Sequence, residues 1–267
     1  MNEVITAIVL GVVEGATEFL PISSTGHLIL FNEWFAFGEG FTKLFDIVIQ
    51  SGAILAVIVI FWKDLWPKNW NLKSLEEQWG KIIIAFVVTA VLGVLFGDYI
   101  QEYLFSPWVV AITLIAYGLF FYIVEKQKLS SGDHPELVSG SVSYTHAVLI
   151  GLAQALAMVP GTSRSGATII ALLLLGYSRV FAVKFSFLLA VPTLLAASTY
   201  SLVKYDAGVN MLEFWLLTVG FVVSFIVAYV VSKWFLAFIR TKTFIPFAWY
   251  RVILGLVVLA YFSLKLL

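Results

Sequence analysis

The chain of 267 residues contains no cysteine, so disulfides, thiolate nucleophiles and cysteine-held metals are excluded at the outset. Charge is also scarce. Asp, Glu, Lys and Arg make up 12% of the residues, about half the ~25% usual in a soluble domain. The 16 basic and 16 acidic residues cancel, so no positive surface calls for nucleic acid. With 61% of residues hydrophobic, too little polar surface remains to cover a water-soluble globule. No basic residue stands in the first ten, and the apolar stretch after them carries Glu14 and Glu18. A cleavable signal peptide is therefore not expected, and the first hydrophobic segment should stay in the mature protein.

What the chain does have is long apolar runs. Ten segments can be read, near 4–20, 22–37, 44–62, 82–97, 107–124, 144–159, 164–176, 181–203, 212–238 and 244–266. Several reach the ~20 residues that a helix needs to cross ~30 Å of hydrocarbon. The first two and the sixth and seventh are short, polar and broken by Pro or Gly. The stretch 63–81, rich in lysine and tryptophan, reads as interfacial and amphipathic, and 125–143 is the most polar part of the chain.

The halves repeat. An offset of 140 sets Gly11 on Gly151, Glu14 on Gln154, Ser23 on Ser163, Gly26 on Gly166 and Phe45 on Phe185. The fold expected is an all-α polytopic membrane protein built on an inverted-topology repeat. Each half holds a broken re-entrant helix pair plus three spanning helices, since an odd number of crossings turns the second copy upside down. Residues 1–125 form the first repeat, 126–143 a polar linker and 144–267 the second repeat, all in one membrane domain. Loops at 63–81, 125–143, 177–184 and 233–251 carry twelve Lys and Arg, against Lys43, Lys204 and Lys265 on the other side. By the positive-inside rule both termini lie outside the cytoplasm and the first hairpin opens outward.

Three elements carry chemistry. Glu14 and Glu18, four apart, share a helical face inside an apolar segment. Two carboxylates at that depth need a shared proton or a cation, and hard ions such as Mg²⁺ or Ca²⁺ take carboxylate oxygens. Next, Pro21 ends the first helix and Ser23, Ser24 and Thr25 stand at the N-cap of the second, followed by Gly26 and His27. A hydroxyl beside an imidazole can serve as nucleophile and base, or the imidazole can protonate a leaving group. The third element runs from Pro160 through Gly161, Thr162, Ser163, Arg164 and Ser165 to Thr168, and has the form of an anion site at a helix N-terminus. Arg164 adds a fork of donors matched to phosphate, and pairing with Glu14 or Glu18 is open to it as well. Gln50 and Ser51 interrupt the third segment and are candidates to line a cavity. Tyr250 and Arg251 read as an interfacial anchor, and His134 and His146 as loop or helix-end residues. Carboxylates, a hydroxyl–imidazole turn and an arginine loop together are the means of metal-assisted phosphoryl transfer.

These residues resemble the undecaprenyl pyrophosphate phosphatases of the bacitracin-resistance type. Glu14 and Glu18 match that family's Glu/Gln-x-x-x-Glu motif. Pro160, Gly161, Ser163, Arg164, Ser165 and Thr168 match Pro-Gly-x-Ser-Arg-Ser-x-x-Thr. Ser23 to His27 match its Ser-Ser-Thr-Gly-His turn, and the segments FDIVIQSGAILAV, KFSFLLAVP and FIPFAWYR look similar too. The resemblance implies hydrolysis of undecaprenyl pyrophosphate to the monophosphate and inorganic phosphate, recycling of the cell-wall carrier lipid, and bacitracin resistance. It implies an inner-membrane location with the active site facing the periplasm, and a requirement for Mg²⁺ or Ca²⁺.

On this reading Glu14 and Glu18 hold the metal or position water. Ser24 or Ser23 is the nucleophile, unless a metal-bound water replaces it, with His27 as acid and base. Arg164, Ser163, Ser165 and Thr168 bind the pyrophosphate, with Ser23, Thr25, Gly161 and Gln50 around it. The partners are the lipid substrate and the bilayer; a homodimer stays open. The rival is a lipid flippase or secondary transporter on the same scaffold. A second family of membrane lipid phosphatases, with a histidine nucleophile, is disfavoured because Ile170 stands where its distal His would fall.

Overall fold

A computed structural model describes residues 3–66, 75–131, 142–205 and 208–265. Among these residues the secondary structure is entirely helical. Ten helices make up the body: α1 Glu3–Thr17, α2 Ser24–Phe31, α3 Glu39–Ile60, α4 Lys81–Leu104, α5 Pro107–Ser131, α6 Tyr144–Leu156, α7 Arg164–Leu174, α8 Arg179–Lys204, α9 Met211–Phe238 and α10 Ile245–Lys265. A helical turn at Trp62–Leu65 and a π-helical turn at Glu76–Gly80 flank the start of α4. Six of the helices, α3, α4, α5, α8, α9 and α10, are long and apolar enough to cross a bilayer. The chain is a multi-pass membrane protein.

The other four run 15, 8, 13 and 11 residues. At 1.5 Å per residue none reaches across ~30 Å of hydrocarbon alone. Each half thus contributes a short broken pair and then three long helices. The ten expected segments all appear, with shifted ends. α5 runs through Ser131, beyond the last apolar residue, so the first part of the expected 126–143 linker is helical. A helix persists into the interface because its backbone bonds do not depend on the lipid. Residues 132–141 of that linker, with His134, lie outside the described residues, as do 67–74 of the expected interfacial stretch.

α1 lies on α9 and α6 on α4; α3 lies on α9 and α8, and α5 on α10. Small residues permit the closest of these approaches, as is usual between membrane helices. A Cβ on Gly11 of α1 would stand 2.8 Å from the Gly220 carbonyl oxygen of α9. One on Gly151 of α6, 140 residues later, would stand 2.6 Å from that of Ala85 on α4. The two short pairs are thereby held inside the bundle, and their turns meet.

Candidate active site where two turns meet

Each broken pair turns at a serine in an unusual backbone conformation. Ser23 has φ 71° and Ser163 φ 72°, the two positive-φ residues other than glycine among those described. Such a conformation costs on the order of 1–3 kcal/mol for a residue with a Cβ and persists only where its surroundings impose it. The local reason is the cap. The Ser23 hydroxyl accepts from Gly26 N–H and the Ser163 hydroxyl from Gly166 N–H, each at 3.2 Å, so each serine starts the helix that follows. Gly161, at φ 88°, has no room for a side chain: a Cβ would sit 2.2 Å from Thr113 Oγ1.

The turns enclose a polar cavity of about 140 Å³. From the first half it is lined by Glu18, Ser23, Ser24, Thr25 and Gln50, and from the second by Ala157, Gly161, Ser163, Arg164 and Leu194. Eight of these ten are among the residues expected from the sequence. Glu18 is the centre. The Ser24 hydroxyl donates to its Oε2 at 2.6 Å. Arg164 donates to its Oε1 from Nε at 3.3 Å and from Nη2 at 3.2 Å. The third guanidinium nitrogen, Nη1, donates to the Ser186 carbonyl at 3.1 Å, and the Phe19 ring lies 5.5 Å beneath the guanidinium carbon. Both ends of the pair are nearly enclosed, Arg164 at 10% exposure and Glu18 at 7%.

Four expected residues do not line the cavity. Glu14 lies one helical turn behind Glu18, fully buried, and neither of its carboxylate oxygens has a hydrogen-bond partner. Glu18, Asp46 and Arg164 are its ionisable neighbours. His27 faces away from the cavity. Its Nδ1 bonds the Ser23 carbonyl at 2.8 Å and its Nε2 the Tyr250 hydroxyl at 2.8 Å. Both ring nitrogens, the groups expected to serve as acid and base, are engaged in these contacts. Ser165 donates to the Leu20 carbonyl at 2.9 Å, which ties the two turns together. Thr168 bonds the Arg164 carbonyl at 3.0 Å and the Ser186 hydroxyl at 2.6 Å. One and four residues past Arg164 on α7, both hydroxyls lie on helix faces packed against protein, which is why neither lines the cavity.

Other residues join the site that sequence reasoning passed over. Asp46 on α3 accepts from Asn32 Nδ2 at 2.8 Å and acts electrostatically on Glu14. An acid in the apolar run FDIVIQSG was its signal, since ionisable groups at that depth are costly. Arg251 is not an interfacial anchor. It is wholly buried and donates to the carbonyls of Gly161 at 2.9 Å, Thr162 at 2.8 Å and Pro21 at 3.3 Å. His146 stands in the first turn of α6, as expected, with its Nδ1 at 2.8 Å from the Tyr177 hydroxyl.

The chain is similar to known proteins over nearly its whole length. The family described as "Bacitracin resistance protein BacA" matches residues 7–257. The chain is 46% identical over 270 residues to undecaprenyl-diphosphatase 1 of Clostridioides difficile (strain 630), covering 98% of this chain and 97% of that protein. It is 46% identical over 260 residues to an undecaprenyl-diphosphatase of Polaromonas sp., covering 96% and 94%. To one of Enterococcus faecalis it is 42% identical over 266 residues, covering 96% of each.

Proposed function

The chain belongs to the bacitracin resistance protein BacA family, and from that footing we propose that it is an undecaprenyl-diphosphatase. It hydrolyses undecaprenyl pyrophosphate to undecaprenyl phosphate and inorganic phosphate, recycling the cell-wall carrier lipid and conferring bacitracin resistance. The observation that carries the chemistry is Glu18, which accepts from the Ser24 hydroxyl on one oxygen and from Arg164 on the other.

In this reading the pyrophosphate enters the polar cavity with its terminal phosphate toward Arg164 and the turn at Gly161–Ser163. The guanidinium fork and the amide-rich turn stabilise the charge that grows on the phosphoryl oxygens. Ser24 is the nucleophile and Glu18 its base. The Ser24 oxygen bonds the terminal phosphorus as its proton passes to Glu18, and the bond to the bridging oxygen breaks, releasing the lipid monophosphate. Glu18 gives that proton up to solvent and then takes one from the water that attacks the phosphoserine. The bond from phosphorus to the Ser24 oxygen breaks, the proton returns from Glu18 to that oxygen, and inorganic phosphate leaves. His27 orients the Ser23–Ser24 peptide and takes no proton.

Glu14 and Glu18 are the residues to hold a divalent cation. The unpartnered Glu14 carboxylate and its acidic neighbour offer only oxygen donors, the set that Mg²⁺ and Ca²⁺ prefer. Among the described residues no third His, Cys, Asp or Glu converges into a metal cage. That suits an ion held by one or two carboxylates and completed by substrate phosphate. When bound, it would neutralise charge on the pyrophosphate.

The internal repeat belongs to the same reading. The paired serines at φ 71° and 72°, both 140 residues apart and both capping, support two copies of one unit. Three long helices in each copy, with the lysine and arginine bias of the loops, support inversion of the second and a periplasmic position for both termini and the cavity. A flippase or secondary transporter on this scaffold draws no support from the relatives, which are named as hydrolases.

The test is phosphate release by purified protein reconstituted with undecaprenyl pyrophosphate and Mg²⁺ or Ca²⁺. Lipid that crosses the bilayer with no phosphate released would overturn the hydrolase reading.

A further inference from the structure

α10 lines no part of the cavity, yet two adjacent residues near its start, Tyr250 and Arg251, touch both turns that do. We propose that this pair positions the reactive turns, Arg251 by binding their carbonyls together and Tyr250 by acting through His27 on the peptide that presents Ser24. The proposal rests on the phosphatase reading above.

The contacts select a place in each turn. Gly161 and Thr162 immediately precede Ser163, and Pro21 lies two residues before Ser23; one guanidinium takes a carbonyl oxygen from all three. Arginine alone offers five donors in a rigid fork, so lysine cannot reproduce this three-way contact. The guanidinium also fills the space under the first turn of α7. A Cβ on Gly166 would stand 3.0 Å from Arg251 Nη1.

The second path starts at Tyr250. Its ring stacks on His27 with centroids 5.6 Å apart, and its hydroxyl lies 2.8 Å from Nε2. The Ser23 carbonyl can only accept, so His27 Nδ1 carries the hydrogen of their 2.8 Å bond. In the neutral ring Nε2 is then an acceptor, and the tyrosine donates to it. The chain Tyr250–His27–Ser23 thus ends on the carbonyl of a residue at φ 71°, one peptide from the Ser24 hydroxyl that donates to Glu18 at 2.6 Å. If that peptide relaxes, Ser24 leaves its base.

A positioning role predicts loss of turnover without loss of substrate affinity. The variants are Tyr250→Phe, Arg251→Lys, Arg251→Gln, His27→Ala and the double Tyr250→Phe with His27→Ala. Phosphate release from undecaprenyl pyrophosphate is measured as kcat and KM separately, per mole of protein eluting as a single monodisperse peak. Misplacing a reacting group by about 1 Å costs up to about a hundredfold. The expectation is therefore a kcat lowered about tenfold by Tyr250→Phe and about ten- to a hundredfold by Arg251→Gln, with KM within about twofold. Arg251→Lys should fall between wild type and Arg251→Gln. Because Tyr250 acts through His27, the double variant should be no slower than His27→Ala alone.

Losses that multiply in the double variant would overturn the His27 path. Folded Arg251 variants with wild-type kcat, or a lower yield at unchanged kcat, would make the arginine merely structural and overturn its part. If Arg251→Gln does not fold, Arg251→Lys decides. A wild-type protein that releases no phosphate removes the phosphatase reading and this inference with it, an outcome distinct from an active wild type with indifferent variants.

Discussion

The Arg164 guanidinium lies 3.2 Å from the Glu18 carboxylate, from which 146 residues of chain separate it. Ser24 holds the other oxygen of the same carboxylate. Glu18 thereby links a hydroxyl of the first half to a cation of the second, in the lining of the polar cavity between the two turns. In the reaction proposed above, a pyrophosphate held there would touch nucleophile, base and guanidinium at once.

Removing one partner of this enclosed pair separates charge from stability. Arg164→Ala should lower phosphate release more than tenfold, and the stranded Glu18 carboxylate should cost about 3–5 kcal/mol. Arg164→Lys should stay well below wild type, because an ammonium lacks the fork that meets Glu18 and Ser186 together. Activity and thermal unfolding in detergent, read side by side, check both. Near-normal turnover in either protein would contradict the site.

The nucleophile is open to direct trapping. Acid quenching of wild-type protein during turnover should yield phosphoserine at Ser24, and Ser24→Ala should abolish it along with most turnover. Glu18→Gln keeps the shape of the side chain but not its basicity, and should lose activity about 10²–10⁴-fold, the usual worth of a general base. Persistent turnover by Ser24→Ala would assign the attack to water instead.

Chelation should stop the reaction, and Mg²⁺ or Ca²⁺ should restore it. Glu14→Gln should raise the ion concentration needed for half-maximal rate, because it removes one of the two carboxyl groups proposed to hold the ion. A Glu14→Gln protein with an unchanged ion requirement would remove Glu14 as a ligand.

Helix packing gives a test independent of catalysis. Gly151→Ala drives a methyl to 2.6 Å from the Ala85 carbonyl, an overpacking that should cost about 1–3 kcal/mol. Gly97→Ala on α4 meets nothing within 4 Å and should leave thermal stability unchanged or slightly raised.

The absence of cysteine makes sidedness measurable. Met211→Cys places a thiol at an 83% exposed position expected outside the cytoplasm, and Arg240→Cys places one at an exposed position expected inside. A thiol reagent that cannot cross membranes should label the first in intact cells and the second only after permeabilisation. The reverse pattern would invert the proposed topology.

Much of this architecture was legible before any coordinates. Apolar length marked the six crossing helices, and Pro21, Pro160 and the serines after them marked the two turns, because helix breaking and capping are local. Charge at membrane depth singled out Glu18 and Arg164. The same rule, applied to Arg251 and Asp46, would have found them too. Arg251 sits so near the start of its segment that an interfacial place looked natural.

What the sequence determined alone is class and inventory: a multi-pass helical membrane protein, with its candidate reactive groups on the first helix and around two helix-breaking turns. Only the tertiary structure decided which of those groups share a space. Neighbouring helical positions differ by about 100° in direction. The packing of α1 on α9 and of α7 on α8 therefore settles that Glu18 looks into the cavity, while Glu14, His27, Ser165 and Thr168 stand behind it. Contacts across 146 residues depend on that rotation, and no local pattern of residues encodes it.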